Sequence, residues 1–290
     1  MSSSAPAKPL RGTRILSLAL NLPGPAALMR LHALGARCAK LEPPAGDPMQ
    51  AYRPQAYAAL HTGVRVLQAD LKSEAGRKVL QRELARSDVL LTSFRPSALK
   101  RLGLDWPALH RQYPALCQVA IVGAPGAAAE IPGHDLTYMA EQGLVQGLNL
   151  PPTLYADMGG ALLASEAVQQ ALMLRAQSGT GVRREVALSH AAAWLGLPRH
   201  WGLVSPTSAV GGGHAGYRVY ACKDGRVAVA ALEPHFAQAL CAAAGLKPAS
   251  MMAPAMHQAL ETWFAQQTRR SLDVLAQRLD LPLHTLSKKD

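Results

Sequence analysis

Short apolar runs alternate with stretches of helical rhythm along most of this chain. Arg14-Ile15-Leu16-Ser17-Leu18-Ala19-Leu20 is such a run before Pro23-Gly24-Pro25, and it predicts a buried strand. Residues Ala26 to Leu34 have helical spacing that stops at Gly35, and Arg37 to Leu41 predicts a second strand ended by Pro43-Pro44. Strand, helix and strand at these lengths make a parallel crossover unit. The pattern recurs. Strands are expected at 64–70, 88–91, 116–122 and 184–188. Between them Ser73 opens a helix as N-cap with Glu74 in its first turn, and shorter helices are expected at 98–102 and 107–112. Others are expected from Asp135 to about Leu144, from Met158 to about Ala176, and from Ser189 to Gly202. The second of these is rich in Ala and Leu, carries few charges and ends at Gly179-Thr180-Gly181, which predicts a buried helix. Strands separated by helices predict an α/β fold: an open, mostly parallel sheet with flanking helices.

The pattern changes at Ser205 to Gly216, a segment rich in Gly and Ser that reads as a flexible linker. Beyond it, Tyr217 to Tyr220 and Arg226 to Ala231 predict a hairpin around Lys223-Asp224-Gly225, and helices follow to about Leu279. The expected organisation is a disordered lead-in at 1–10, a large α/β domain at 11–204, a linker at 205–216 and a small α+β domain at 217–290.

Composition narrows the function classes. Hydrophobic residues make up 49% of the 290 and aromatics only 5%, so the core rests on Ala, Leu and Val. Thirty Lys and Arg against 19 Asp and Glu give a net charge of +11, which favours anionic ligands. The basic residues are scattered, with no run of three and Arg183-Arg184 one of several adjacent pairs, so a specific nucleic-acid partner is not expected and a phosphorylated cofactor is the other candidate. Cys38, Cys117, Cys222 and Cys241 have neither CxxC nor zinc spacing, and no metal is expected. No stretch approaches a membrane span and the N-terminal residues lack an apolar core, so a cytoplasmic location away from membranes is the expectation.

An ordered series of segments carries a resemblance. Arg14-Ile-Leu-Ser-Leu-Ala-Leu-Asn-Leu-Pro-Gly-Pro leads into Leu34-Gly35-Ala36 and Lys40-Leu41-Glu42-Pro43-Pro44-Ala-Gly-Asp47-Pro48. Then come Asp70-Leu-Lys72-Ser-Glu-Ala-Gly76-Arg77, and Asp88 through Phe94-Arg95-Pro96 to Lys100-Arg101 and Leu104. Pro132-Gly133-His134-Asp135-Leu136-Thr-Tyr138, Ala156-Asp157-Met-Gly-Gly160, Gly179-Thr-Gly181 and Ala231-Leu-Glu233-Pro234-His-Phe236 complete it. In this order the segments resemble the family III CoA-transferases (the CaiB/BaiF family), most nearly the α-methylacyl-CoA racemase branch. The chain departs from that pattern at His61-Thr62-Gly63-Val64, where an Asn-Arg-Gly-Lys-like stretch is usual. The loop between His134 and Asp157 is also shorter, and the usual C-terminal segment that returns to the large domain is expected to be missing.

The resemblance implies an intertwined homodimer acting on an acyl-CoA thioester, each subunit with a CoA-binding α/β domain and a smaller second domain. It implies that His134 and Asp157 are the acid/base pair of a racemase, with Glu233 supporting the histidine. In a transferase Asp157 would instead be the nucleophile that carries acyl and CoA in turn. A third reading is an inactive CoA-binding paralogue.

The residue types fit these roles chemically. Inversion next to a thioester needs a base on one face and a proton donor on the other, which a His and an Asp of tuned pKa supply. CoA transfer needs only the carboxylate nucleophile, so His134 discriminates. Asp157 is expected at the start of the helix beginning at Met158, as its N-cap on the simplest reading. Gly159-Gly160 would let backbone N–H groups approach a thioester oxygen. Glu233 before Pro234 also reads as an N-cap. Arg95 follows a strand, where open sheets place ligands, and is the foremost candidate for a CoA phosphate. Lys72, Lys100, Arg101 and Tyr138 lie in the matched segments, and Leu71 with Lys72 would edge the adenine slot by resemblance alone. No GxGxxG, Walker or GxSxG pattern occurs.

Overall fold

A computed structural model describes residues 8–247 and 249–288. Contacts divide the chain into two compact units, Met1–Gly196 and Leu197–Asp290.

In the first unit β1 (Arg14–Ser17) leads to α1 (Pro23–Ala33) and β2 (Arg37–Glu42), followed by α2 (Pro48–Tyr52), α3 (Pro54–Leu60) and β3 (Arg65–Gln68). Next come α4 (Glu74–Leu84), β4 (Val89–Thr92), α5 (Pro96–Arg101), α6 (Trp106–Gln112) and β5 (Cys117–Val122). Then α7 (Asp135–Glu141), α8 (Tyr155–Ser178) and β6 (Arg183–Ala187) follow, and α9 (Leu188–His200) begins in this unit and ends in the next. The strands form one sheet in the order β3-β2-β1-β4-β5-β6, and every neighbouring pair is parallel. The order reverses between β1 and β4, which makes the carboxyl ends of those strands the switch point where open sheets bind ligands.

Alternation within the strands explains why their apolar runs are continuous. Ile15, Val89, Leu91, Cys117, Val119 and Ile121 face α1 and α8 in one core cluster. Leu16, Leu41 and Leu90 face the other way, onto Leu80 and Leu84 of α4, Leu99 of α5 and Leu109 of α6. Both faces are covered, so neither can be polar. Each such leucine contributes about 1.5–3 kcal/mol by leaving water.

The helix starts follow local chemistry. Ser73 caps α4 by accepting from the Gly76 N–H at 3.0 Å. Asp47 caps α2 through the Met49 N–H, with Pro48 at the first helical position. Helices α2 and α3 lie between the strand ended at Pro43-Pro44 and the one expected from Val64, where the pattern predicts no element. Their short apolar faces are visible only once Met49 and Leu60 join the core.

Two expectations change. Residues 1–7 of the expected lead-in lie outside the described residues, but Leu10, within that stretch, is buried and its N–H donates to the Leu34 carbonyl. The 205–216 segment is not a free linker. It folds into turns, and a Cβ on Gly211 would lie 1.8 Å from the Ser205 carbonyl oxygen. Gly211 therefore serves close backbone approach.

The second unit holds β7 (Tyr217–Cys222), β8 (Gly225–Ala230), α10 (Pro234–Ala243), α11 (Pro254–Ala265), α12 (Arg269–Leu279) and β9 (Leu283–Ser287). The predicted hairpin forms, and β9 adds antiparallel to β8. No strand is predicted at 283–287, because its pairing partner lies far back in the chain. The core of this unit is Tyr220, Val227, Leu240, Leu260, Phe264 and their neighbours, with the Tyr220 and Phe264 rings stacked at 4.7 Å.

Candidate active site

Helix α8 lacks a cap of its own. The residue before it, Leu154, makes no side-chain cap hydrogen bond. The cap comes from another element: the Asp157 N–H donates to Oδ1 of Asp135, the first residue of α7, at 3.0 Å. Asp135 is 5% exposed, and α7 packs against α8. This bond ties the start of α8 to the start of α7, whose own N-cap residue is His134. There the His134 N–H donates to Thr137 Oγ1 at 3.1 Å, while the Thr137 hydroxyl donates to the His134 carbonyl. The His134 imidazole is exposed.

Asp157 is therefore neither at the helix start nor its N-cap; the helix begins at Tyr155 and Asp157 is its third residue. It is half-buried. Burial raises its carboxyl to about 6, the Asp135 carboxylate beside it adds to the rise, and His134 opposes it. A carboxyl there holds or releases a proton near neutrality, with an imidazole close enough to be felt.

The adjoining Gly159 and Gly160 do not offer free N–H groups. They lie inside α8, where backbone N–H groups bond within the helix. Gly160 has a packing reason instead: a Cβ there would lie 2.2 Å from Leu188 Cδ2.

Tyr138 connects this end of α7 to the cationic residues. It is 5% exposed, and a Cβ on Gly123 or Gly133 would lie 2.2 or 2.5 Å from its Oη. Its hydroxyl is raised by burial and by the Asp157 charge, while Arg95 lowers it. Arg95 follows β4 and precedes α5; it is exposed, as are Lys100 and Arg101 at the far end of that short helix. Glu130 carries no sequence signal of its own. Its carboxylate accepts from the Ser97 N–H at 2.7 Å and the Ser97 hydroxyl at 2.9 Å. Those bonds, then Arg95 and Arg101, hold its carboxyl below the usual value. Leu71 packs partly into the core beyond β3, and Lys72 beside it is exposed. These residues all follow carboxyl ends of the parallel strands. Glu233 lies in the second unit, where it is the exposed N-cap residue of α10 and makes no side-chain cap hydrogen bond.

A buried ionic cluster supports the same edge of the sheet. Lys40, fully buried, places its ammonium 2.5 Å from Asp47 Oδ2, 3.0 Å from Glu42 Oε1 and 3.0 Å from His61 Nε2. His61 Nδ1 lies 2.6 Å from the Tyr57 carbonyl and must donate to it, so Nε2 accepts from Lys40. Burial pushes His61 below the ordinary histidine value, and the Lys40 charge acts in the same direction. Glu42, Asp47 and His61 could together ligate a metal ion, but the Lys40 ammonium already supplies the cation that their lone pairs require. The cluster's output is positional. Asp47 also accepts the N–H of Asn21, which adopts a left-handed φ of 61° in the turn after β1. Composition gave no signal for this arrangement, since Lys40 and His61 meet only through folding.

The model of CoA-transferase family III matches residues 10–289. The chain belongs to CoA-transferase family III. Among curated members, the cinnamoyl-CoA:phenyllactate CoA-transferase of Clostridium sporogenes is 32% identical over 64% of this chain and 50% of its own length. The α-methylacyl-CoA racemase of Homo sapiens is 30% identical over 82% of this chain and 65% of its own. The chain thus spans half to about two thirds of the length of these relatives. A crystal structure of a hypothetical protein from Mycobacterium tuberculosis superposes with a TM-score of 0.83 at 25% identity, covering 97% of this chain and 84% of that one. Family III members of both reaction types therefore stand at similar distance from this chain. Among the described residues no helix is long and apolar enough to cross a membrane.

Proposed function

We propose that this chain acts on an acyl-CoA thioester and exchanges the proton next to the thioester carbonyl, as in epimerisation of a 2-methylacyl-CoA. The observation that carries this reading is the Asp157 carboxyl, raised to about 6 and within reach of the His134 charge. Racemisation needs two carriers that trade protonation states, and an acid poised near neutrality beside an imidazole is such a pair. Asp157 takes or returns the proton on one face of the carbon and His134 acts on the other. Glu233 supports the histidine. Arg95, with Lys72, Lys100 and Arg101, holds the CoA phosphates, while Leu71 and Tyr138 shape the cofactor slot. Membership in family III and the 30% identity to the human racemase support the reading. The working form is a homodimer in the cytoplasm.

The second reading is CoA transfer through an aspartyl intermediate on Asp157. The 32% identity to the Clostridium transferase favours it, and the placement of Asp157 in the first turn of a long helix opposes part of the rise that burial imposes on its carboxyl.

Incubation with a chiral 2-methylacyl-CoA in heavy water separates the two. Deuterium at the α-carbon, lost in His134→Ala, is the expected result. No exchange, with CoA passed to a free acid and His134→Ala still active, assigns the transferase.

A further inference from the structure

The opposite edge of the parallel sheet, away from Asp157, has its own chemistry. Arg14 is the first residue of β1, Arg37 the first of β2 and Arg65 the first of β3. Arg14 and Arg37 stand side by side in the strand register, and Arg65 stands next to Ala39 on the following pair. With Arg86, which follows α4, these residues line a polar cavity of about 390 Å³.

Four arginines thus line one small cavity, and Glu83 is the single acidic residue of that lining. Glu83 is already spent on Arg65, with which it forms a short ion pair, and on Arg82 at 3.7 Å. Asp88 close by is occupied as well: it accepts from the Arg14 main-chain N–H and pairs with Arg175 at 3.0 Å. Among the described residues, the side chains of Arg14, Arg37 and Arg86 have no acidic partner. The C-terminal end of α4 would by itself favour a cation at Arg86. It gives no reason for two further arginines to open adjacent strands, where like charges repel. Cys38 lines the same cavity, but its thiol is pushed up to about 12 by burial, so the place is suited to binding and not to nucleophilic chemistry.

We propose that this cavity is a binding site for a small polyphosphate anion, separate from the edge that carries Asp157, Tyr138 and Arg95. Planar guanidinium forks match phosphate oxygens two at a time, and three unpaired forks around one cavity suit a ligand with adjacent phosphates more than a single carboxylate. Arg37 and Arg86 grip the anion from two elements, β2 and the end of α4, and Arg14 closes the side formed by β1. The proposal does not depend on which reaction Asp157 serves.

Calorimetric titration of the full chain with sodium pyrophosphate, at about 0.15 M salt, tests it. Saturable binding with Kd below about 1 mM is expected, weakening at least tenfold in Arg37→Gln/Arg86→Gln. Both positions are exposed, so that variant should melt at the wild-type temperature. Arg95→Gln, which removes a cation from the opposite edge, should keep the component of pyrophosphate binding that the double variant loses, whether or not a second component at the CoA edge weakens. The proposal is overturned by an absence of saturable heat, by equal affinity for sulfate, or by loss in Arg95→Gln with none in the double variant.

Discussion

The backbone N–H of Asp157 donates to the carboxylate of Asp135, 3.0 Å away and 22 residues earlier in the chain. One buried acid thus fixes the helix turn that carries a second acid, and its charge also raises that second carboxyl. The two effects separate by substitution. Asp135→Asn keeps an acceptor oxygen for the N–H but removes the charge. The Asp157 carboxyl should then titrate below 6 while staying above 3.8, because burial is the larger cause. Carbon-13 NMR of labelled Asp157 measures this; an unmoved titration would mean that Asp135 contributes nothing electrostatically.

Asp157 itself makes stability depend on pH. The folded carboxyl keeps its proton up to about 6, against 3.8 for the ordinary group. Between those values the folded state binds more protons, so stability falls as pH rises and the loss is complete above about 6. Asp157→Asn should therefore melt higher than the wild type at pH 7.5, by an amount equivalent to about 1–3 kcal/mol. Below pH 3.8 the difference should vanish. A lower melting temperature for the variant at pH 7.5 would contradict the assigned burial.

Lys40 holds two buried carboxylates and a neutral imidazole together. Lys40→Met should cost about 3–5 kcal/mol by leaving Glu42 and Asp47 uncompensated. Denaturant unfolding reads the loss. A cost under about 1 kcal/mol would show that the carboxylates find water or each other's protons instead.

A methyl group on Gly123 would lie 2.2 Å from Tyr138 Oη. Gly123→Ala should displace that ring, destabilise the chain by about 1–3 kcal/mol and reduce turnover together with it. Gly126→Ala serves as the control, since nothing lies within 4 Å of a Cβ there, although its φ of 63° adds strain of about 1 kcal/mol.

Arg95 is exposed next to α5, with Glu130 as the nearby acid. On the CoA-binding reading, Arg95→Gln should raise the Kd for CoA by about 10–100-fold, the worth of one charge-assisted hydrogen bond. Glu130→Gln should lower it, because a competing carboxylate is removed. Fluorescence or calorimetric titration with CoA checks both directions.

Much of the first unit was legible in the sequence because its signals are local. Continuous apolar runs such as Cys117–Val122 mark strands covered on both faces, and Ser73 before Glu74 marks a helix start without help from elsewhere. The ordered segments fixed the family for the same reason, since each is a short stretch read in place. Tertiary structure alone decided what depended on distant partners. The start of α8 has no local signal because its cap comes from Asp135 in another helix, and β9 has none because β8, far back in the chain, supplies its hydrogen bonds. The Lys40 cluster, the raised Asp157 carboxyl and the arginine cavity likewise arise from burial and proximity, which a chain acquires only on folding.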